Sequence, residues 1–287
     1  MLAILKREFK GYFCNMTGCI FTALLLCFAG IFATVVNLYG QSAMFEYTLS
    51  NVSMILLVII PILAMRSVSE DKHNKTDQLL YALPISTTQV ILGKFGALLV
   101  VFAIPLCFVA LYPLLFSRFG EVYLPTAYGS LFAFFLLGAA LMAVGVFLSS
   151  LTDNQGLAAG LGVGAILLNY YSVSLSEYVS STAVGSLIAF AVLTVCLVLI
   201  IRALTRNDVL AISTGLVLLI GLVGVYLLDR TALEGLLPSL MKTLSLFSRF
   251  TVFVNGVFDM TGVVYYLSVI VFFLFLAVQS MEKRRYS

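Results

Sequence analysis

The chain has 287 residues, 62% of them hydrophobic and 10% charged, with a mean hydropathy of +1.11. A soluble domain carries charge on about a quarter of its residues, so a water-soluble fold is excluded. The formal net charge of +3 is too small to serve a nucleic-acid partner. What remains is an all-α polytopic membrane protein, expected as a single transmembrane domain over residues 1–287.

At the N-terminus, residues 1–15 are expected to form an amphipathic helix. At 100° per residue Leu2, Leu5, Phe9, Tyr12 and Phe13 share one arc, with Lys6, Arg7 and Lys10 to one side. A helix lying in the membrane plane with its cations near anionic headgroups suits this pattern, and so does a plain charged flank. Lys6, Arg7, Glu8 and Lys10 interrupt the start and no small-residue cleavage site follows a short apolar core, so no signal peptide is expected.

A spanning helix needs about 20 mainly apolar residues. Eight stretches qualify, near 17–38, 45–65, 91–116, 126–149, 157–175, 183–202, 209–228 and 262–281. Eight spans place both termini on one side. The N-terminus, the loop from Arg66 to Lys94, the loop with Arg202 and Arg206, and the tail with Lys283, Arg284 and Arg285 hold twelve of the sixteen Lys and Arg, which assigns that side to the cytosol. Eleven of the fourteen tyrosines then fall near the outer surface, as an aromatic belt would; Tyr39, Tyr112 and Tyr266 are examples.

The loop 66–94 is the one long polar interruption: RSVSEDKHNKTDQLLYALPISTTQVILGK. Charge crowds its first half, and Thr76 and Asp77 then open an amphipathic turn or two carrying Leu79, Leu80 and Leu83 before Pro84 ends it. A solvated connector fits this composition, as does a short helix that docks on a partner. Further on, Ser149 to Gly156 make a tight polar turn. Gly156, Gly160 and Gly164 then repeat at four-residue spacing, a register that lets two helix backbones approach. Packing inside the bundle is the commoner use of such a stripe.

Residues 229–261 are too interrupted by Pro238, Lys242 and Arg249 to span, yet Leu233, Leu236, Leu237, Leu240, Leu244, Phe247, Phe250 and Phe253 recur at helical spacing. A helix pair that dips into the outer leaflet and returns, with Lys242 and Arg249 snorkelling outward, satisfies both facts.

Motifs for chemistry are lacking. No G-x-x-x-x-G-K-[ST] phosphate loop occurs. His73 is the only histidine, and a metal site is not expected. Cys14, Cys19, Cys27, Cys107 and Cys196 include no C-x-x-C pair and read as small hydrophobes in or beside spans. No Asp, Glu, Lys or Arg lies near the middle of an expected span, Glu46 and Arg202 being at ends, so an ion-coupled carrier is disfavoured. Asn37, Asn51 and Asn169 read best as bonds between helices.

The loop series Glu70, Thr76, Leu79-Leu80, Leu83-Pro84-Ile85-Ser86 and Gly93-Lys94 resembles the first cytoplasmic loop of type-2 ABC transporter permeases, with Lys75 where that family usually has glycine and Gln78 where it has glutamate. Gly256-Val257-Phe258-Asp259, the following Tyr265-Tyr266-Leu267 and the basic tail are similar to the subfamily of gliding-motility and nitrous-oxide-reductase-maturation permeases. Many relatives have six spans, so spans six and seven are the pair that goes beyond the pattern.

The resemblance implies a transmembrane permease subunit of an exporter in a bacterial plasma membrane. Two copies of a cytosolic ATPase, which supply ATP and Mg²⁺, would dock on Thr76, Asp77, Gln78, Leu79, Leu80, Leu83 and Pro84. A second permease, identical or related, would pair along Gly156, Gly160 and Gly164. The N-terminal helix would be the connecting helix beside the ATPase, and the turn at Asn154-Gln155 a minor second contact. A non-transporting sensor or assembly scaffold that docks a cytosolic protein through the same loop is the alternative function.

Overall fold

The computed structural model describes residues 1–76, 85–179, 182–205, 208–228 and 234–286. In chain order its helices are α1 (Leu2–Cys14), α2 (Thr17–Phe32, continued by a π-helical turn, Ala33–Tyr39), α3 (Phe45–Ala64), α4 (Arg66–His73), α5 (Thr87–Val109) and α6 (Tyr112–Phe116). There follow α7 (Leu124–Leu151), α8 (Gln155–Tyr178), α9 (Ala183–Thr205), α10 (Asp208–Leu228), α11 (Leu236–Leu244), α12 (Leu246–Val254) and α13 (Met260–Tyr286). No strand occurs among the described residues. Hydrocarbon offers no partner for a free N–H or C=O, and helices satisfy every such group within the segment.

Among the described residues, six helical stretches are long and apolar enough to cross a membrane: Thr17–Tyr39, Phe45–His73, Thr87–Phe116, Leu124–Leu151, Gln155–Tyr178 and Met260–Arg284. The protein is thus an all-α multi-pass membrane protein, and these are six of the eight expected spans. The other two stretches are helical as well, as α9 and α10. Their apolar runs among the described residues, Ala183–Val195 and Ile212–Leu222, are shorter.

Two compact units divide the chain, one formed by Met1–Leu168 with Arg249–Ser287 and the other by Asn169–Ser248. In the first, α7 is the central post and packs on α3, α5 and α13. Phe102 of α5 is fully buried, with ring centroids 6.1 Å from Phe134 and 6.0 Å from Phe135. Gly138 permits this approach, because a Cβ there would lie 2.2 Å from the Phe102 ring. The returning half of the segment 229–261 joins the same core. Phe250 meets Phe134 at 5.8 Å, and the Ser130 hydroxyl donates to the Phe253 carbonyl at 2.9 Å.

In the second unit, α9 and α10 pack together, with Gly215 leaving room for Val198. Asn169 spans the break between α11 and α12: its Nδ2 donates to the Leu244 carbonyl at 3.0 Å and its Oδ1 accepts from the Leu246 amide at 2.9 Å. The Ser245 hydroxyl donates to the Asn169 carbonyl at 3.3 Å. Each of α11 and α12 has nine residues, about 13 Å at 1.5 Å per residue, too short to cross a core of about 30 Å. The part of 229–261 that is described is thus two short helices rather than a span, and Asn169 bonds the backbone groups left free where one ends and the next begins.

Candidate functional site

The ion pairs seen in the first unit gather at the end of the bundle from which the 66–94 loop emerges. The first half of that loop is helix, not connector. α3 breaks at Met65 and resumes as α4, with Ser67, Val68, Ser69 and Lys72 buried. Ser149, near the end of α7, holds the break. Its Oγ accepts from the amides of Val68 at 3.1 Å and Ser69 at 3.0 Å, and donates to the Met65 carbonyl at 2.8 Å. On the open side Arg66 grips Glu70 one turn later through two bonds, at 2.7 and 3.1 Å.

α1 docks beside this break. Its buried stripe is Ile4 and Tyr12 with Glu8 between them at the same four-residue spacing. Leu2 stays exposed. The stripe rests on α5 at Gly93, where a Cβ would come 3.0 Å from Ile4 Cγ2. The apolar arc expected for α1 thus flanks its packing face, because the face itself includes a carboxylate. Burial raises the Tyr12 hydroxyl's pKa above its ordinary value, and the nearby Glu8 and Glu70 carboxylates push the same way.

Lys94 answers that carboxylate. Its side chain is 2% exposed, and the ammonium lies 2.5 Å from Asp71 Oδ2, 3.3 Å from Glu8 Oε1 and 2.6 Å from the Ser67 carbonyl. An ammonium has three donors. Here they go to two other helices, α1 and α4, from a base on α5. Arg7 stands behind, 3.8 Å from Asp71 and 2.7 Å from Glu8. The other Asp71 oxygen accepts from Thr76 Oγ1 at 2.8 Å, and the Thr76 amide donates to the Asp71 carbonyl at 2.9 Å.

A second group ties α4 to the turn after α7 and to the tail. Lys72 donates to the Ser150 carbonyl, which also accepts from Ser280 at 3.0 Å, and lies 4.0 Å from Asp153. Arg284 pairs with Asp153. Glu282 accepts from Thr87 at 2.7 Å, fixing the start of α5. The short turn expected at 149–156 is present, with Asn154 Oδ1 accepting from the Gly156 amide at 2.9 Å to open α8.

Of the expected docking residues, Thr76 is described and is tethered to Asp71. Asp77, Gln78, Leu79, Leu80, Leu83 and Pro84 lie outside the described residues. Lys75 takes φ +57°, the left-handed backbone that glycine adopts freely, at the position where the resemblance has glycine. After the loop, Ser86 caps α5 by accepting from the Gln89 amide at 3.3 Å.

Gly156 and Gly160 are exposed and Gly164 is half-buried. A Cβ at Gly160 or Gly164 would meet nothing within 4 Å. The glycine of α8 that takes part in packing within the unit is Gly162, against Pro61 at 3.1 Å.

Sequence reading missed the Lys94, Asp71 and Glu8 group. Two signals could have found it: a lysine on the second turn of an otherwise apolar span, which must meet acid to be buried, and the Ile4, Glu8, Tyr12 spacing. Chemically the layer is self-neutralising. Among the described residues no cluster of three or more metal-ligating side chains occurs. Such a layer joins helices and leaves little charge for a ligand.

A family model described as "ABC-2 family transporter protein" matches residues 31–176. The matched stretch runs from the end of α2 to the end of α8 and contains Asp71, Lys94 and the glycine stripe, whereas Glu8 and Arg284 lie outside it. No curated protein matches the chain.

Proposed function

This chain belongs to the ABC-2 transporter family, and we propose that it is the permease subunit of an ATP-driven exporter moved by a separate cytosolic ATPase seated on residues 76–84. The sequence has no phosphate loop, so ATP and Mg²⁺ belong to the partner. The observation that carries the reading is the anchoring of the loop at both ends. Thr76 is held through Asp71 to Lys94, and Thr87 through Glu282 to the tail. A push on the segment between them would reach α3 and α5 directly.

In this reading the loop end faces the cytosol, as its share of Lys and Arg requires, and both termini lie there in a bacterial plasma membrane. Two ATPases act on two permeases, the second identical or related. In the Gly156, Gly160 and Gly164 stripe, the open space at Gly160 and Gly164 supports a subunit seam on α8, since a helix face with room for a close neighbour and none within the unit is suited to one. Gly256 to Asp259 and the basic tail favour the gliding-motility and nitrous-oxide-reductase-maturation subfamily. The decisive experiment is co-purification with the ATPase encoded beside this gene. Alanine at both Leu79 and Leu80 should abolish capture of the ATPase, while undiminished capture refutes docking on this loop. Disulfide crosslinking of Gly160→Cys chains tests the seam.

A further inference from the structure

We propose that Lys94 is a positioning residue that locks α1 to the loop, so that α1 and through it the first span are driven together with α3 and α5 when the loop is pushed. The inference rests on the exporter reading for the push. It rests on geometry alone for the lock.

The path is continuous. Thr76, the last described residue before the loop's centre, bonds one oxygen of Asp71, and the other oxygen of the same carboxylate lies 2.5 Å from the Lys94 ammonium. That ammonium reaches Glu8 of α1 at 3.3 Å. A carboxylate bonded on both edges cannot swing toward one partner without leaving the other. A lysine 2% exposed cannot exchange its partners for water. Displacing the loop relative to α1 therefore requires breaking a buried ion pair, whereas moving them as one body breaks nothing.

The link from α1 to the first span is equally short. Only Asn15 and Met16 separate α1 from α2. Met16 sits at φ +59°, the Thr17 hydroxyl donates to the Tyr12 carbonyl at 3.3 Å, and Arg66 Nη1 donates to Thr17 at 3.4 Å. A rotation of α1 is thereby delivered to the base of α2. There α2 and α3 border an apolar groove of about 480 Å³ running from Thr17 past Leu24 and Val58. Coupling through a packed chain of groups is a claim about free energy, so it needs a test that breaks one member and reads another.

The test uses the full chain in phosphatidylethanolamine and phosphatidylglycerol nanodiscs with its co-purified ATPase, after replacing the five cysteines by alanine. Spin labels go on exposed Lys10 and Lys75 to read α1 against the loop, and on Lys75 and Arg118 to read the loop against the opposite end. In the parent, the Lys10 to Lys75 distribution is expected to be narrow and to stay fixed when ATP and vanadate are added, while the Lys75 to Arg118 distance shifts. Lys94→Met should widen the first distribution at least twofold even without nucleotide. Lys94→Arg, which keeps a cation facing both Asp71 and Glu8, should leave it narrow. If Lys94→Met does not fold, Glu8→Ala, which releases only the α1 arm, is expected to give the same widening.

An unchanged width in the variant that folds overturns the lock. Absence of any nucleotide shift between Lys75 and Arg118 in the parent would instead count against the exporter reading, and the nucleotide-free widths would still decide the role of Lys94.

Discussion

The two ends of the first unit are built from different bonds. At the loop end Lys94, Lys72, Arg66 and Arg284 each meet a carboxylate, and all but the Arg66–Glu70 pair within α4 cross between α1, α4, α5, the turn after α7 and the tail. At the opposite end the buried carboxyl of Glu46 has no ion pair among the described residues and accepts from the Thr126 hydroxyl at 2.5 Å. Nearby, Asn37 donates to the Ser42 carbonyl at 2.8 Å and accepts from Thr48 at 2.5 Å. Glu46 tolerates this because it lies in the first turn of α3, where the helix dipole and free amides favour a carboxylate. Charge pairs cost much to separate in an apolar setting, while hydroxyl and amide bonds are exchanged more readily. One end is suited to carry force and the other to rearrange.

Lys94→Met tests that contrast most severely. It strands Asp71 and Glu8 with only Arg7 near, and breaking a buried pair from one side costs about 3–5 kcal/mol. Thermal unfolding in nanodiscs should show this as a large loss, and a loss below about 1 kcal/mol would mean water already reaches the layer. Ser149→Ala should come next. It leaves the amides of Val68 and Ser69 and the Met65 carbonyl without their shared partner, at about 1–3 kcal/mol for such unmet groups. Hydrogen exchange should then rise at Val68 and Ser69 and stay unchanged in α7.

Glu46→Gln is the matched test at the opposite end. The amide keeps an acceptor for Thr126, so what is lost is the attraction to the helix terminus, about 0.3–1 kcal/mol. A loss as large as that of Lys94→Met would erase the distinction between the two ends.

How much of this could be read from residues alone follows from the range of each interaction. Composition and 20-residue apolar runs are local, so six spans and the short helices of 236–254 were legible, as was the turn at Asn154. The glycine stripe was legible as a stripe, but internal packing fell to Gly162, since only the rotation of α8 against Pro61 decides which glycine faces inward. The charged half of the 66–94 loop looked solvated because Lys72 and Asp71 find their partners far along the chain, at Ser150 and Lys94. Glu8 was not singled out for the same reason: an amphipathic arc gives a carboxylate no inward role unless its counter-ion, 86 residues later in sequence, is known. The resemblance reached one detail that periodicity could not, since its glycine before Thr76 coincides with the left-handed backbone of Lys75.

That coincidence yields a smaller prediction at the loop end. Lys75→Gly relieves an L-residue of a conformation costing about 1–2 kcal/mol but restores chain entropy to the unfolded state, so the net gain should be under about 1 kcal/mol. A loss would show that the Lys75 side chain has a contact of its own.

The smallest effect is expected at the opposite end and depends on pH. Asp259 opens α13, its Oδ1 accepting from the Thr261 amide at 2.9 Å and its Oδ2 from the Gly262 amide at 3.1 Å. Hydrogen bonds from the Thr261 side chain and from these amides, with Arg249 nearby, hold the carboxyl below its ordinary pKa. A folded-state pKa below the unfolded one means that the stabilisation is complete above the unfolded value, about 3.9, and is lost as pH falls through the lowered value. Melting temperature followed from pH 6 downward should therefore show an acid-side decline in the parent that Asp259→Asn lacks. Because the group is solvent-exposed, the difference should be slight and should not grow at low salt as the Lys94 effect would if its pair were wet. If Asp259→Asn instead followed the parent curve throughout, the acid response would belong to other carboxylates, with those of the loop end the first to test.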